Sequence, residues 1–250
     1  MLITFGGAFS NHIAAVASFG KMSGITTLGI IRGEEIAELY LENATLSRAH
    51  QNGMHLRFVS RDKFRNKDLL TEQLQKDFPE ALIIPEGGTN ESAVEGVRNM
   101  LSEHTKDFDY LCTAVGTGGT VAGISKFCEE NQQVIGFQVV KDSSVDEKVL
   151  KLSGRTNFYF VEAAEGGYGK INDESVRFIN SFYRKFGIPL DPVYTGKMMK
   201  KLLELIADGY FPSGSRILAF HTGGLQGIEG ANQMLKSRNR TLINFQNGEF

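Results

Sequence analysis

Short apolar runs and longer amphipathic segments follow one another along most of this chain. Brief apolar runs are typical of buried strands, whereas apolar residues that recur every three or four positions are typical of helices. We therefore predict strands at residues 1–5, 26–31, 54–59, 82–84, 110–115, 134–139, 158–161 and 217–220. We predict helices at residues 13–23, 38–52, 61–78, 92–102, 121–128, 173–186, 197–208 and 225–235. The polar stretches 141–157 and 236–250 are predicted to contain no element, the second being loosely ordered.

The alternation of strands and helices predicts an α/β fold with open, mainly parallel sheets covered by helices. Glycine-rich turns follow several of the predicted strands, at residues 6–12, 85–90, 116–120, 165–169 and 221–224. Ligands bind beside the carboxyl ends of the strands in such sheets, and all these ends lie along one edge. We therefore expect several of the turns to meet at one cleft.

The turn at residues 116–120 has the form of an anion site. The apolar run from Tyr110 to Val115 stops at Gly116, and a predicted helix follows. The first N–H groups of a helix have no partner within it, and glycines let a phosphate approach them closely. A dinucleotide fingerprint is excluded because Val121 stands where the last glycine belongs, and no P-loop lysine follows. A tight turn that binds nothing is the open alternative.

Composition and charge narrow the function classes. The chain has 250 residues and a formal net charge of -2 without a sustained basic run, so we expect no nucleic-acid partner. We also expect no membrane partner, because no apolar stretch is long enough to span a bilayer. Cys112 and Cys128 are predicted to be buried free thiols in a cytoplasmic protein. The histidines and cysteines lack metal-ligand spacing, so we predict no metal.

Six motifs occur in a specific order and spacing. They are Gly6-Gly7 with Ser10-Asn11-His12, Pro85-Glu86-Gly87-Gly88, the 116–120 turn, Gly167-Tyr168-Gly169, Tyr194-Thr195-Gly196-Lys197 and His221-Thr222-Gly223-Gly224. Together they resemble the pyridoxal-phosphate enzymes of the tryptophan-synthase β fold, also called fold type II. The most similar branch is that of 1-aminocyclopropane-1-carboxylate deaminase and D-cysteine desulfhydrase.

The resemblance implies a role for each matching residue. Ser10 would contact the substrate carboxylate and relay a proton, and Tyr168 and Tyr194 would lie over the reacting substrate. The implied cofactor is pyridoxal 5'-phosphate. Asn11 would bond its phenolic oxygen and Thr195 would lie beside its pyridine nitrogen. The implied phosphate ligands are Gly116, Thr117, Gly118, Gly119 and Thr120.

Threonine at position 195 favours one branch of this family. The deaminase branch carries glutamate there, and a carboxylate keeps the pyridine nitrogen protonated. Threonine can donate a hydrogen bond to a neutral nitrogen instead. We therefore expect α,β-elimination from a small amino acid, as in D-cysteine desulfhydrase, with the aminocyclopropane deaminase as the alternative.

One departure from the family concerns its Schiff-base lysine, which precedes the Ser-Asn-His motif. No lysine precedes Ser10 here, so we expect an N-terminally incomplete chain with little turnover. Lys170 and Lys197 are interpreted as surface or helix lysines. A non-catalytic cofactor- or anion-binding protein and a nucleotide-binding module stay open as alternatives.

The resemblance also implies the domain organisation. We predict a smaller, mobile domain at residues 8–90. A larger cofactor-binding domain would comprise residues 91–250 together with 1–7, and the cofactor would bind in the cleft between the two. The expected partners are a small amino-acid substrate and a second copy of the chain in a homodimer.

Overall fold

The computed structural model describes residues 1–164, 166–167 and 169–245. It divides into two compact units, Met1–Gly88 and Thr89–Phe250. Each unit contains one four-stranded sheet in which all pairings are parallel, with helices packed on it. The predicted fold class is therefore confirmed.

The first sheet has the strand order β3-β2-β1-β4. Its strands are β1 (Leu2–Gly6), β2 (Thr27–Arg32), β3 (Met54–Val59) and β4 (Leu82–Ile84). The helices of this unit are α1 (Asn11–Ser23), α2 (Ala44–Gln51), α3 (Arg61–Arg65) and α4 (Lys67–Asp77). Strand β1 pairs with β2 on one side and β4 on the other, which makes it an internal strand of the first sheet. Residues 1–7 thus lie in the first unit, whereas the sequence analysis assigned them to the larger domain.

Both faces of this sheet are covered. Ile13 of α1 packs with Ile31 and Met54 in one apolar cluster. Ile3 and Phe5 belong to another cluster, together with residues of α3 and α4. Burial on both faces explains why β1 and β2 appear in the sequence as nearly continuous apolar runs.

The second sheet has the strand order β7-β6-β5-β8. Its strands are β5 (Tyr110–Val115), β6 (Gln133–Gln138), β7 (Phe158–Glu162) and β8 (Ile217–Ala219). Its helices are α5 (Glu91–Val97), α6 (Gly119–Phe127), α7 (Val145–Ser153), α8 (Asp173–Phe186), α9 (Thr195–Ala207) and α10 (Gly227–Ser237). Helix α6 packs on one face with Leu111 and Val134, and α9 packs on the other with Cys112 and Ile135.

Several boundaries differ from the sequence prediction. The predicted helix 38–52 is shorter, because short 3-10 turns at Glu34–Ile36 and Tyr40–Glu42 precede α2. The predicted helix 61–78 is divided into α3 and α4, and helix 92–102 ends at Val97. Tertiary contacts and caps set such ends more than periodicity does.

One of the two segments predicted to lack an element contains a helix, and part of the other is held by packing. Helix α7 lies inside the stretch predicted to lack an element, because its buried face consists of only Val145, Val149 and Ser153. Residues just after α10 are also held in place. Ile243 is buried, and its backbone exchanges two hydrogen bonds with the Asn232 side chain. Among the described residues, no helix has both the length and the apolar character needed to cross a membrane.

Candidate active site

Each sheet has a topological switch point, where the chain crosses from one side of a central strand to the other. In the first sheet, β2 and β4 lie on opposite sides of β1. In the second sheet, β6 and β8 lie on opposite sides of β5. Ligands of open parallel sheets bind outside the carboxyl ends of the strands at such points. The turns 6–12 and 85–90 follow β1 and β4, and the turns 116–120 and 221–224 follow β5 and β8.

The 116–120 turn leads directly from β5 into α6. Gly118 occupies the N-cap with φ 93° and provides no side-chain cap. The first intrahelical bond of α6 runs from Ala122 N–H to Gly118 O, at 2.9 Å. The amides that precede Ala122 therefore have no acceptor within the helix, and the helix dipole adds positive potential at the same place.

The residues around this turn leave no room for a β-carbon at Gly118 or Gly119. A Cβ on Gly118 would lie 2.9 Å from Val149 and 3.0 Å from Val145. Both valines belong to α7, so the helix that the sequence analysis missed supports the turn. A Cβ on Gly119 would lie 2.9 Å from the hydroxyl oxygen of Thr89.

Three threonines surround the same helix start. Thr117 and Thr120 belong to the turn, and the Thr89 hydroxyl is hydrogen-bonded to that of Thr117. Thr89 was not among the predicted site residues, although the 85–90 turn contains it. Glycine amides, a helix N-terminus and hydroxyl donors form a donor set that fits a phosphate group. The predicted phosphate site therefore has a suitable geometry.

Tyr194 and Thr195 lie at the start of α9. The Tyr194 ring is next to the 116–120 turn, since a Cβ on Gly116 would lie 3.3 Å from its Cε1. Asp191 organises this helix start. One of its carboxylate oxygens accepts from the N–H groups of Val193 and Tyr194, and the other accepts from the N–H of Thr195. Sequence reasoning missed Asp191, although an aspartate before a helix start is a typical capping signal.

The Thr195 side chain is fully buried and bonded to Asp191. Its hydroxyl donates to Asp191 Oδ2 at 2.7 Å and accepts from the Asp191 N–H at 2.9 Å. A threonine has one O–H proton, and in this structure a carboxylate receives it. The argument that Thr195 donates to a pyridine nitrogen is therefore wrong for this arrangement, because the hydroxyl offers only a lone pair.

Lys197 lies in a helix, which is one of the two interpretations given for it, and it is buried rather than at the surface. Its Nζ donates to Ala164 O at 3.0 Å and to Gly167 O at 3.1 Å. Lys170 is exposed. Tyr168, a predicted catalytic residue, lies outside the described residues.

His221 connects two loops of the second unit. Its Nε2 lies 2.8 Å from Pro189 O, and its Nδ1 accepts from the Gly223 N–H at 3.2 Å. A backbone carbonyl only accepts, so Nε2 carries the proton. His221 thereby joins the turn after β8 to the loop that contains Asp191.

In the first unit, Ser10 is the N-cap of α1. Its hydroxyl accepts from the Ile13 N–H at 3.3 Å, and Asn11 is the first residue of the helix. The close packing explains Gly6, where a Cβ would lie 2.5 Å from Ile13 and 2.8 Å from the Ser10 hydroxyl.

His12 lies in the first turn of α1, and its ring is next to Gly88 in the turn after β4. Its Nε2 is 2.7 Å from the Thr4 hydroxyl, which itself donates to Ile84 O. Nε2 must therefore be the donor, and Nδ1 is left as an acceptor on the side of Gly88. Burial lowers the pKa of His12 from its ordinary value of 6.5, and the nearby Glu86 carboxylate partly opposes this.

The two cysteines have no features of a nucleophile. Both are buried free thiols, as predicted. Burial raises the pKa of the Cys112 thiol to about 12 and also raises that of Cys128. Thiols are the unreactive form, so cysteine chemistry at this site is disfavoured. Across the described ranges, no group of three or more histidine, cysteine and acidic residues could hold a metal ion.

Comparisons with known proteins agree with the geometry. The sequence model of the family described as "Pyridoxal-phosphate dependent enzyme" matches residues 2–223. A putative 1-aminocyclopropane-1-carboxylate deaminase of Pyrococcus abyssi is 30% identical over 254 residues, which cover 91% of this chain and 74% of that protein. The bifunctional mitochondrial D-cysteine desulfhydrase/1-aminocyclopropane-1-carboxylate deaminase of Arabidopsis thaliana is 27% identical over 91% of this chain and 64% of that protein.

A solved structure shows the same similarity. The crystal structure of an ACC deaminase homologue superposes with a TM-score of 0.77 at 27% identity, and the match covers 94% of this chain and 77% of that chain. The family match spans most of the chain and includes both switch points. The chain therefore belongs to the pyridoxal-phosphate dependent enzyme family.

Proposed function

We propose that this chain carries the binding site of a pyridoxal-phosphate-dependent lyase that removes ammonia from a small amino acid by α,β-elimination. D-cysteine is the proposed substrate, which with water would give pyruvate, ammonia and hydrogen sulfide. The bifunctional plant relative supports this choice, because its name includes D-cysteine desulfhydrase. The observation that carries the proposal is the uncharged Thr195 at the start of α9, whose hydroxyl proton is donated to Asp191.

The residue at position 195 matters because it would influence how much negative charge the cofactor ring can accept during the reaction. Bound pyridoxal phosphate supplies an electron sink, and a carboxylate beside its ring would strengthen that sink by keeping the nitrogen protonated. Thr195 carries no charge of its own and donates its proton to Asp191, so it would add no charged group beside the ring. Such a site suits β-elimination, because negative charge leaves with the departing thiolate.

The phosphate would be held by the amides at the start of α6 and by the hydroxyls of Thr117, Thr120 and Thr89. Thr89 is an addition to the predicted set, supported by its bond to Thr117. Asn11 would hydrogen-bond the phenolic oxygen of the cofactor. These roles follow from the family resemblance and from the local geometry of each residue.

Ser10 would bind the substrate carboxylate and relay a proton. Its hydroxyl oxygen accepts the capping bond from Ile13, so its O–H proton is the group that it can donate to a substrate oxygen. Tyr194 would lie over the substrate, beside the phosphate turn. Tyr168 has the same proposed role and lies outside the described residues.

The proposal is tested by assaying D-cysteine, L-cysteine, D-serine and 1-aminocyclopropane-1-carboxylate side by side on the cofactor-loaded protein. We expect kcat/KM to be highest for D-cysteine. A Thr195→Glu variant should lower this preference and raise the relative rate on the cyclopropane. If the cyclopropane is the best substrate of the protein with Thr195 intact, deaminase activity replaces the proposed one.

A second candidate is a protein that binds the cofactor without turnover. The position of Lys197 favours it, because this lysine donates to two carbonyls at the candidate site. Borohydride reduction of the cofactor-loaded protein, followed by peptide mapping, separates the two candidates. Cofactor trapped on a lysine of this chain supports the enzyme, whereas binding without trapping supports the second candidate.

Location and assembly also belong to the proposal. We place the protein in the cytoplasm as a homodimer, without a nucleic-acid or membrane partner. The two buried free thiols support a reducing compartment. Exposed apolar side chains on α1, Phe19 at 53% and Met22 at 86%, support self-association. Sedimentation equilibrium would test the dimer directly.

A further inference from the structure

A buried lysine, Lys197, lies at the start of α9. The proposed reaction assigns it no role. Lys197 belongs to the first turn of α9, three residues after Tyr194, and only 2% of it is exposed. Lysine is almost never fully buried unless its charge has partners. Its position therefore calls for a specific explanation.

The ammonium binds two backbone carbonyls of the loop after β7. Ala164 O accepts from Lys197 Nζ and also from the Gly167 N–H, at 3.0 Å each. Gly167 O accepts from the same Nζ at 3.1 Å and from the Lys170 N–H at 3.3 Å. One charged group thus joins the two carbonyls.

This loop has little else in its own sequence to fix its shape. Gly166, Gly167 and Gly169 all have positive φ values, of 85°, 127° and 68°. Glycine has the greatest backbone freedom of any residue, so ordering three glycines carries a large entropic cost. Charge-assisted hydrogen bonds to the loop carbonyls can offset that cost.

The neighbouring lysines on α9 are bonded differently. Lys200 forms ion pairs with Glu174 and Glu204, and Lys201 pairs with Glu204. All three lysines line one cavity of about 400 Å³, together with Ala164 and Gly166. Lys201 therefore offers a matched control, because it borders the same space without a bond to the loop carbonyls.

We propose that Lys197 is a positioning residue whose ammonium holds the backbone carbonyls of Ala164 and Gly167, in the loop after β7, against the start of α9. It would thereby hold the loop in the arrangement that the reaction requires. The role deepens the proposed function and rests on it, since that function assigns Tyr168 and Tyr194 to the substrate. Lys197 would act through the loop.

The test removes the lysine ammonium by mutation and then replaces it with a small amine added to the solution. Lys197→Ala keeps the β-carbon, so propylamine supplies the missing three carbons and the charged nitrogen, and the cavity gives it access. Hydrogen exchange of the peptide covering 164–170 is measured without cofactor or substrate. We expect exchange in this peptide to rise by about tenfold or more in Lys197→Ala, while exchange in β5 and α6 stays unchanged.

Propylamine should restore the protection, and propanol, which lacks the charge, should not. Lys201→Ala should show the same loop exchange as the unmodified protein, and propylamine should not change it. If Lys197→Ala does not fold, Lys197→Met keeps the apolar stem and should show the same local loss. Unchanged hydrogen exchange of the loop in both Lys197→Ala and Lys197→Met would overturn the proposal. Rescue by propanol equal to that by propylamine would overturn it too. So would borohydride trapping of the cofactor on Lys197. These readouts involve no turnover, so they fail independently of the elimination assay.

Discussion

At the scale of single residues, the neighbours of two positions restrict which residue can occupy each of them. Gly118 combines a left-handed backbone with two valines of α7 that leave no room for a Cβ. His12 has its tautomer fixed by a threonine that donates elsewhere. Each position leads to a testable expectation, one about cofactor affinity and the other about stability as a function of pH.

Gly118→Ala should weaken the binding of pyridoxal 5'-phosphate. A non-glycine residue in the left-handed region costs about 1–2 kcal/mol, and the new Cβ would also press on Val149. We expect the Kd from a spectroscopic titration to rise by about tenfold or more. Gly214→Ala is the control, because its φ of 86° is similar and nothing lies within 4 Å of the added Cβ. Equal affinities of the two variants would refute the assigned phosphate turn.

His12 should make the stability of the protein depend on pH. Because burial lowers its pKa in the folded state, the unfolded chain binds the proton first as the pH falls. The stabilisation is complete above the ordinary value of 6.5, and it decreases as the pH falls from there through the folded-state pKa. We expect the free energy of unfolding, measured in urea between pH 8 and pH 5, to fall less for His12→Gln than for the unmodified protein. His55→Gln, at an exposed position, should keep the full pH dependence.

At the scale of elements, the helix starts form the site. Helix α6 begins without a side-chain cap, whereas α9 begins at a carboxylate that accepts four hydrogen bonds. An uncapped helix start has donors available for an anion, and a capped one has a fixed backbone. The two helix starts therefore differ. That of α6 has donors available for the proposed phosphate, whereas Asp191 fixes the backbone of Tyr194 and Thr195 at the start of α9.

Asp191→Ala should destabilise the second unit more than removal of an ordinary cap does. It would leave three amides and the buried Thr195 hydroxyl without their acceptor, at a cost of about 2–4 kcal/mol. Asn172→Ala, which removes the cap of α8, should cost about 1 kcal/mol. Urea unfolding of both variants measures the difference. A loss for Asp191→Ala no larger than that for Asn172→Ala would show that Asp191 is only a conventional cap.

At the scale of the whole molecule, the chain consists of two compact units with the same sheet architecture. The phosphate turn belongs to the second unit, and the Ser-Asn-His motif belongs to the first. A ligand that binds only at the 116–120 turn should therefore stabilise only one unit by mass action.

Inorganic phosphate should raise the denaturant midpoint of the second unit and leave that of the first unchanged. At a concentration of one hundred times Kd, the stabilisation would be about 2.7 kcal/mol. Hydrogen exchange across a urea series, followed separately in peptides of β1 and of β5, measures both midpoints. Stabilisation of the first unit alone would contradict the assigned turn, and Gly118→Ala should remove the effect.

The sequence alone determined the fold class and the positions of the strands along the chain, and it predicted the 116–120 turn as a phosphate site. It could do so because short apolar runs, glycine turns and caps such as Ser10 are local signals that arise within a few residues. The family resemblance was equally local, since it depended on six short motifs.

Only the tertiary structure decided the partners of those motifs. The cap at Asp191, the bond that takes the Thr195 proton and the burial of Lys197 all depend on how loops fold back on α9. Helix α7 was missed because its apolar face is narrow, and its role became apparent only from the contact with Gly118. Hydrogen bonds and packing between residues distant in sequence leave no periodic pattern in the chain, so no reading of periodicity could have found them.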